Sequence, residues 1–219
     1  MPVGKKYLMK ALRELREKTK KRNFNQSIEL IINLRDIDVS KPENRIREFI
    51  ELPHPIGKKV KVCVFASGDA ALRARRAGAD MVLEREEIES LMNDKKRQRQ
   101  IAKQFDSFIA IAPLMPLVGR VFGAILGPRG KMPTPISPAA DMEREIERHR
   151  KLVMVRTRGQ PVLSCRVGTE DMSDEEIIDN IEAVLSRIEG KLGRGIKNIA
   201  SIYIKATMGP PVKVEIRED

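Results

Sequence analysis

From Ser27 to Arg35 apolar and polar positions alternate, with Ile28, Leu30, Ile32 and Leu34 on one face and Glu29, Ile31, Asn33 and Arg35 on the other. A period of two predicts a half-buried strand. Ahead of it Leu8, Ala11, Leu12 and Leu15 recur at helical spacing, which predicts an amphipathic helix whose other faces are basic. A polar stretch containing Pro42 leads to an extended run through Ile46, Phe49, Ile50 and Leu52. After a break at Pro53, Pro55 and Gly57 comes a third run, Lys59 to Ala66, with Val60, Val62, Val64 and Ala66 on one face. The opening third thus reads as a helix followed by three strands.

Beyond Ser67-Gly68 short apolar strands alternate with helices. The pattern predicts helices over 69–77, 84–103 and 116–126, strands over 80–83 and 107–112, a Gly/Pro-rich loop over 127–135 and a last helix over 138–150. Such alternation argues for a small parallel α/β layer. From Val153 extended segments return, two of them separated by a turn at Gly159 and Pro161. Ser173 and Glu176 then form a capping box that opens a helix whose stripe is Ile177, Ile181, Val184, Leu185 and Ile188. A strand over 199–207, a turn at Met208-Gly209-Pro210 and a strand over 212–216 close the chain. The ends share one texture and the middle another. The expected architecture combines α/β and α+β classes in two domains. A discontinuous α+β domain comes from residues 1–66 and 154–219, and an inserted Rossmann-like three-layer α/β domain from 67–153.

Charge narrows the function. The 219 residues carry 42 Lys or Arg against 31 Asp or Glu, a net +11. Residues 1–22 alone hold nine basic side chains against Glu14 and Glu17, net +7, whereas 23–66 and 154–219 together sum to zero. A sequence pI near 9.8 turns the basic helix from a merely solvated surface toward one that meets nucleic-acid phosphates. No apolar run approaches the roughly 20 residues that cross a bilayer, and no signal-like apolar core opens the chain, so a cytoplasmic protein is expected. Cys63 and Cys165, far apart in sequence, are expected to be buried thiols and not a disulfide framework. With six Phe, two Tyr and no Trp, an extensive base-stacking platform is disfavoured.

Catalytic motifs fail one by one. Gly123, Gly127 and Gly130 have the wrong spacing for a dinucleotide fingerprint. A phosphate loop would need Gly where Ile125 stands and Ser or Thr where Met132 stands. The loop is then either a tight turn with incidental charges or one that offers Arg129 and Lys131 to an RNA phosphate. His54, His149 and the two cysteines have no zinc-ligand spacing, and no nucleophile elbow is present. Neither an enzyme nor a metal or cofactor is expected.

Several stretches taken together resemble one family: NFNQSIEL from Asn23, KPENRI from Lys41, LPHPIGK from Leu52, ILGPRGKMP from Ile125, DNIEA from Asp179 and ATMGP from Ala206. In this order and spacing they are similar to the large-subunit ribosomal protein L-one family, with the phrasing of its archaeal branch. The resemblance implies a discontinuous RNA-binding domain with an inserted Rossmann-like domain that holds no nucleotide. It implies binding to large-subunit rRNA to build the mobile stalk beside the E site, a part in release of deacylated tRNA and repression of the protein's own mRNA. The free protein is expected to be a monomer. The RNA contacts it implies are Phe24, Ser27, Glu29, Asn33, Thr207, Met208 and Gly209; beside these, the basic side chains Arg129, Lys131, Arg166 and Lys205 are expected as secondary contacts.

The chemistry of these positions is compatible with that role. Glu29, Ile31 and Asn33 alternate away from the apolar face and would form an open sheet surface suited to the shallow RNA minor groove. Ser27 and Asn33 both donate and accept, as a 2′-hydroxyl demands. Gly209 would let an RNA backbone come close. Met208 is either a sugar-packing or a core side chain, and Phe24 either an RNA contact or a staple between helix and sheet.

Overall fold

The computed structural model describes residues 3–57, 59–157 and 159–216. The chain divides into two compact units, Met1–Lys58 with Lys151–Asp219, and Lys59–Arg150. Their apolar cores have no residue in common.

In the first unit the helical spacing near the N-terminus becomes α1 (Lys5–Lys18), with Leu8, Ala11, Leu12 and Leu15 buried. The alternating segment is β1 (Ser27–Leu34), every second residue buried. It lies between β8 (Val162–Thr169) and β9 (Ile199–Ala206), and β10 (Val212–Val214) pairs on β9, all antiparallel. In α7 (Asp174–Glu189) the capping box is present, Ser173 N–H donating to Glu176 at 3.0 Å. α1 packs on β9, β10 and α7, and α7 on β8, so the buried phase of the sheet faces the two helices in one core. A second, two-stranded sheet joins β2 (Arg47–Glu51) to β7 (Leu152–Arg156), with Phe49 opposite Met154.

The second unit is a four-stranded parallel sheet of order β4-β3-β5-β6, built from β3 (Val62–Phe65), β4 (Met81–Leu83), β5 (Ser107–Ile111) and β6 (Thr134–Ile136). Its helices are α2 (Asp69–Arg76), α3 (Arg85–Ser90), α4 (Lys95–Gln104), α5 (Met115–Arg129) and α6 (Met142–Lys151). The mixed two-class architecture expected from the pattern is the one observed.

Several boundaries differ from the expectation. β3 is buried on both faces in the centre of the parallel sheet, so the second unit starts at Lys59 instead of residue 67 and ends at Arg150 instead of 153. A central parallel strand is apolar on both faces, and its continuous run mimics the strands before it. The charged stretch over 84–103 is two helices. Asp94 accepts from Arg97 N–H at 2.9 Å and starts α4, while the buried Gln98 side chain donates to Leu91 O at 2.7 Å and closes the turn after α3. The expected 127–135 loop is instead the end of α5, a turn and the edge strand β6. Gly130, at φ 71°, closes α5 with N–H bonds from Gly130 to Gly127 O and from Lys131 to Leu126 O, both at 2.9 Å. Cys63 is buried and Cys165 half-buried, and both are free thiols.

Candidate nucleic-acid interface

The face of the first unit's sheet turned away from α1 and α7 is organised by strand register. One row across β8, β1 and β9 reads Arg166, Glu29, Lys205. The next reads Ser164, Ile31, Tyr203 and continues to Lys213 on β10. A third holds Val162, Asn33 and Ser201, in which the Asn33 amide donates to Ser201 Oγ at 2.8 Å. Glu29 is therefore flanked in register by a cation on each neighbouring strand. Three cations against one carboxylate make the face locally positive, which counting along the chain concealed.

At one end of this face Ser27 and Thr207 are locked together. Ser27 N–H donates to Thr207 Oγ1 at 3.1 Å, and the Thr207 backbone N–H and hydroxyl both donate to Ser27 O, at 3.0 and 3.2 Å. Thr207 nevertheless stays exposed. Met208 at the turn tip is 61% exposed and Phe24 is 50% exposed, so neither is a core or staple side chain. Phe24 lines a groove of about 650 Å³ together with Thr19, Lys21, Arg22 and Asp171. Gly209 is explained within the protein, because a Cβ there would stand 3.0 Å from Thr19 Oγ1 and 3.2 Å from Ala206 Cβ. Its lack of a side chain lets the turn close on the end of α1.

The residue that assembles this corner is Gln26, which is fully buried. Its amide donates to Lys20 O at 3.1 Å and to Glu170 Oε2 at 3.2 Å, its Oε1 accepts from Met208 N–H at 3.1 Å, and its carbonyl accepts from Glu170 N–H at 2.9 Å. Continuing the β1 alternation backwards puts position 26 on the inward face, the one signal in the sequence that pointed to it.

The basic N-terminal segment separates into two groups. Lys5 pairs with Asp179 (3.1 Å) and Lys10 with Glu215 (2.8 Å), while Lys18 pairs with Glu14 (2.6 Å). Arg16 binds Asp174 at 2.7 Å and the carbonyls of Glu170 and Met172. Lys5, then His54 Nε2 at 3.2 Å, holds the Asp179 carboxyl below the usual carboxylate range. Lys20, Lys21 and Arg22, just before Phe24, are exposed and make no ion pair among the described residues.

Arg129 and Lys131 belong to the second unit. Arg129 is exposed in the last turn of α5, whereas the Lys131 ammonium donates to the Ala102 and Phe105 carbonyls at the C-terminus of α4. Burial lowers its pKa, and its charge serves this internal cap. His149 Nδ1 lies 2.8 Å from Ser107 Oγ, with Nε2 buried and without a hydrogen-bond partner among the described residues. Among the described residues no group of three His, Cys, Asp or Glu side chains is placed to hold a metal ion.

Comparison with known proteins identifies the family of the chain. Residues 15–210 match the model of the ribosomal protein L1p/L10e family. The chain is 48% identical over 215 residues to a protein of Hyperthermus butylicus named large ribosomal subunit protein uL1, covering 98% of this chain and 99% of that protein. Proteins of the same name from Methanothermobacter thermautotrophicus and Thermofilum pendens are 46% and 50% identical, over 94% and 89% of this chain and 98% and 86% of theirs.

Proposed function

This chain belongs to the ribosomal protein L1p/L10e family, and on that premise we propose that its first unit binds large-subunit rRNA and forms the mobile stalk beside the E site. The family is one of structural ribosomal proteins and not of enzymes. The observation that carries the assignment to the first unit is the pair of exposed apolar side chains, Phe24 and Met208. They stand at the end of a polar, locally positive sheet face next to cations without acidic partners. Ser27, Glu29, Asn33 and Thr207 offer donors and acceptors on or beside that face. Asn33, which holds Ser201, and Thr207, which holds Ser27, are pre-oriented, so less side-chain freedom is lost when RNA docks. Arg166 and Lys205 flank Glu29 and supply phosphate or 2′-hydroxyl donors. The proposed role extends to release of deacylated E-site tRNA and to repression of the chain's own mRNA through an rRNA-like site.

A titration of the full chain with an rRNA stalk fragment and with an unrelated hairpin, across salt concentrations, tests the proposal. The fragment is expected to bind at least ~10³-fold tighter than the hairpin at physiological salt. Equal affinity for both would leave only a general basic RNA binder.

A further inference from the structure

In the second unit the charge is sorted by element. α4 carries Lys95, Lys96, Arg97, Arg99 and Lys103 and no carboxylate, and α5, packed against it, carries Arg120 and Arg129 and no carboxylate. All seven cations are exposed, and none makes an ion pair among the described residues. Of the four carboxylates at positions 84–89, Glu86 is exposed and the other three are occupied elsewhere. On α3, which also packs on α5, Glu87 accepts from Glu84 N–H at its own helix start and Glu89 binds Arg85, while Glu84 binds Arg75.

Most of the cations do not stabilise α4 locally, Lys103 in its last turn being the exception. Three stand in its first turn with no acidic residue there, at the end where the helix dipole already repels positive charge. Only the Asp94 cap offsets them. The inward stripe of α4 is Gln98, Ile101 and Ala102, and every outward residue is Lys, Arg or Gln. A membrane-lying helix needs exposed apolar side chains beside its cations, and α4 has none.

We propose that the α4–α5 face of the second unit is a sequence-independent binding site for the phosphate backbone of duplex RNA. This is a contact beyond the sheet face of the first unit and does not depend on it. α4 spans ~15 Å at 1.5 Å per residue, a length over which a duplex presents on the order of nine phosphates. Five cations on ten residues offset about half of that charge without reading any base, because long flexible Lys and Arg side chains contact phosphates and carry no sequence information by doing so.

The test compares the full wild-type chain with the quadruple variant Lys96→Gln, Arg97→Gln, Arg99→Gln, Lys103→Gln. The probe is a 20-base-pair RNA duplex of arbitrary sequence, titrated at several salt concentrations. The variant is expected to lose about 2–3 in the slope of log affinity against log salt and about tenfold or more in affinity at low salt. Its melting temperature is expected to be equal or higher, since like charges have been removed. As a measurement on the unaltered chain, the duplex is expected to protect Lys95, Lys96 and Lys103 from acetylation. An unchanged slope in a folded variant, absence of protection, or binding of the wild type to anionic vesicles but not to the duplex would each overturn the proposal. The specific affinity for the rRNA stalk fragment, measured in parallel, reports separately on the first unit.

Discussion

Two neighbouring side chains on the first unit have opposite jobs, and substitution separates them. Gln26 is buried and ties the segment at Lys20, the turn at Met208 and Glu170 together. Gln26→Leu leaves the Met208 N–H and the Lys20 carbonyl without that partner, and is expected to lower stability by about 1–3 kcal/mol in urea unfolding. Met208 is at the surface. Met208→Ala is expected to leave the unfolding midpoint unchanged while weakening specific binding to the rRNA stalk fragment by about 1–3 kcal/mol, the size of a good readout contact. Unchanged filter-binding affinity would remove Met208 from the interface. The family resemblance points to Met208 as a candidate, but its exposure depends on the turn geometry. For Gln26 the sequence offers only the backward continuation of the β1 alternation, and its polar side chain masks that inward phase.

Element ends and packing add two further expectations. In Gly209→Ala the new Cβ meets Thr19 Oγ1 at 3.0 Å, so about 1–3 kcal/mol of destabilisation is expected. Adding Thr19→Ala removes that atom and should recover part of the loss in thermal unfolding. Failure of the double variant to recover any would place the strain at Ala206. The second concerns His149 on α6, beside Ser107 at the start of β5. Burial, reinforced by Arg148, depresses its pKa from 6.5 to about 4. The folded state keeps the ring neutral while the unfolded chain binds a proton. Stability is therefore full above pH ~6.5 and is lost as pH falls toward 4 and below, by on the order of 3 kcal/mol before it levels off. Urea midpoints measured across this window should show the slope in the wild type and a weaker one in His149→Met. The helices and strands were legible from periodicity. The break between α3 and α4 was not, since it depends on the Asp94 cap and on Gln98, which reaches back to the preceding turn.

For the whole molecule, each unit has an apolar core that closes on itself. Joining residue 58 to 151 is therefore expected to give a first unit that folds cooperatively and keeps most of its specific rRNA affinity. Loss of nearly all affinity in such a folded fragment would move the specific site to the second unit. Cutting at 67 and 153 instead would strand β3 without its sheet and clip β7. The amino-acid sequence by itself determined the discontinuous α+β unit, the inserted parallel layer and the stripes of α1 and α7, because periods of two and 3.6 are local properties of the chain. It also placed most of the excess charge at the N-terminus. Only the tertiary structure decided which of those charges lack partners, since Lys5, Lys10 and Arg16 find their acids more than 150 positions away. It also assigned β3 to its sheet and brought Glu29 between Arg166 and Lys205. Register between distant strands, and ion pairs across a folded core, exist only once the chain has closed on itself.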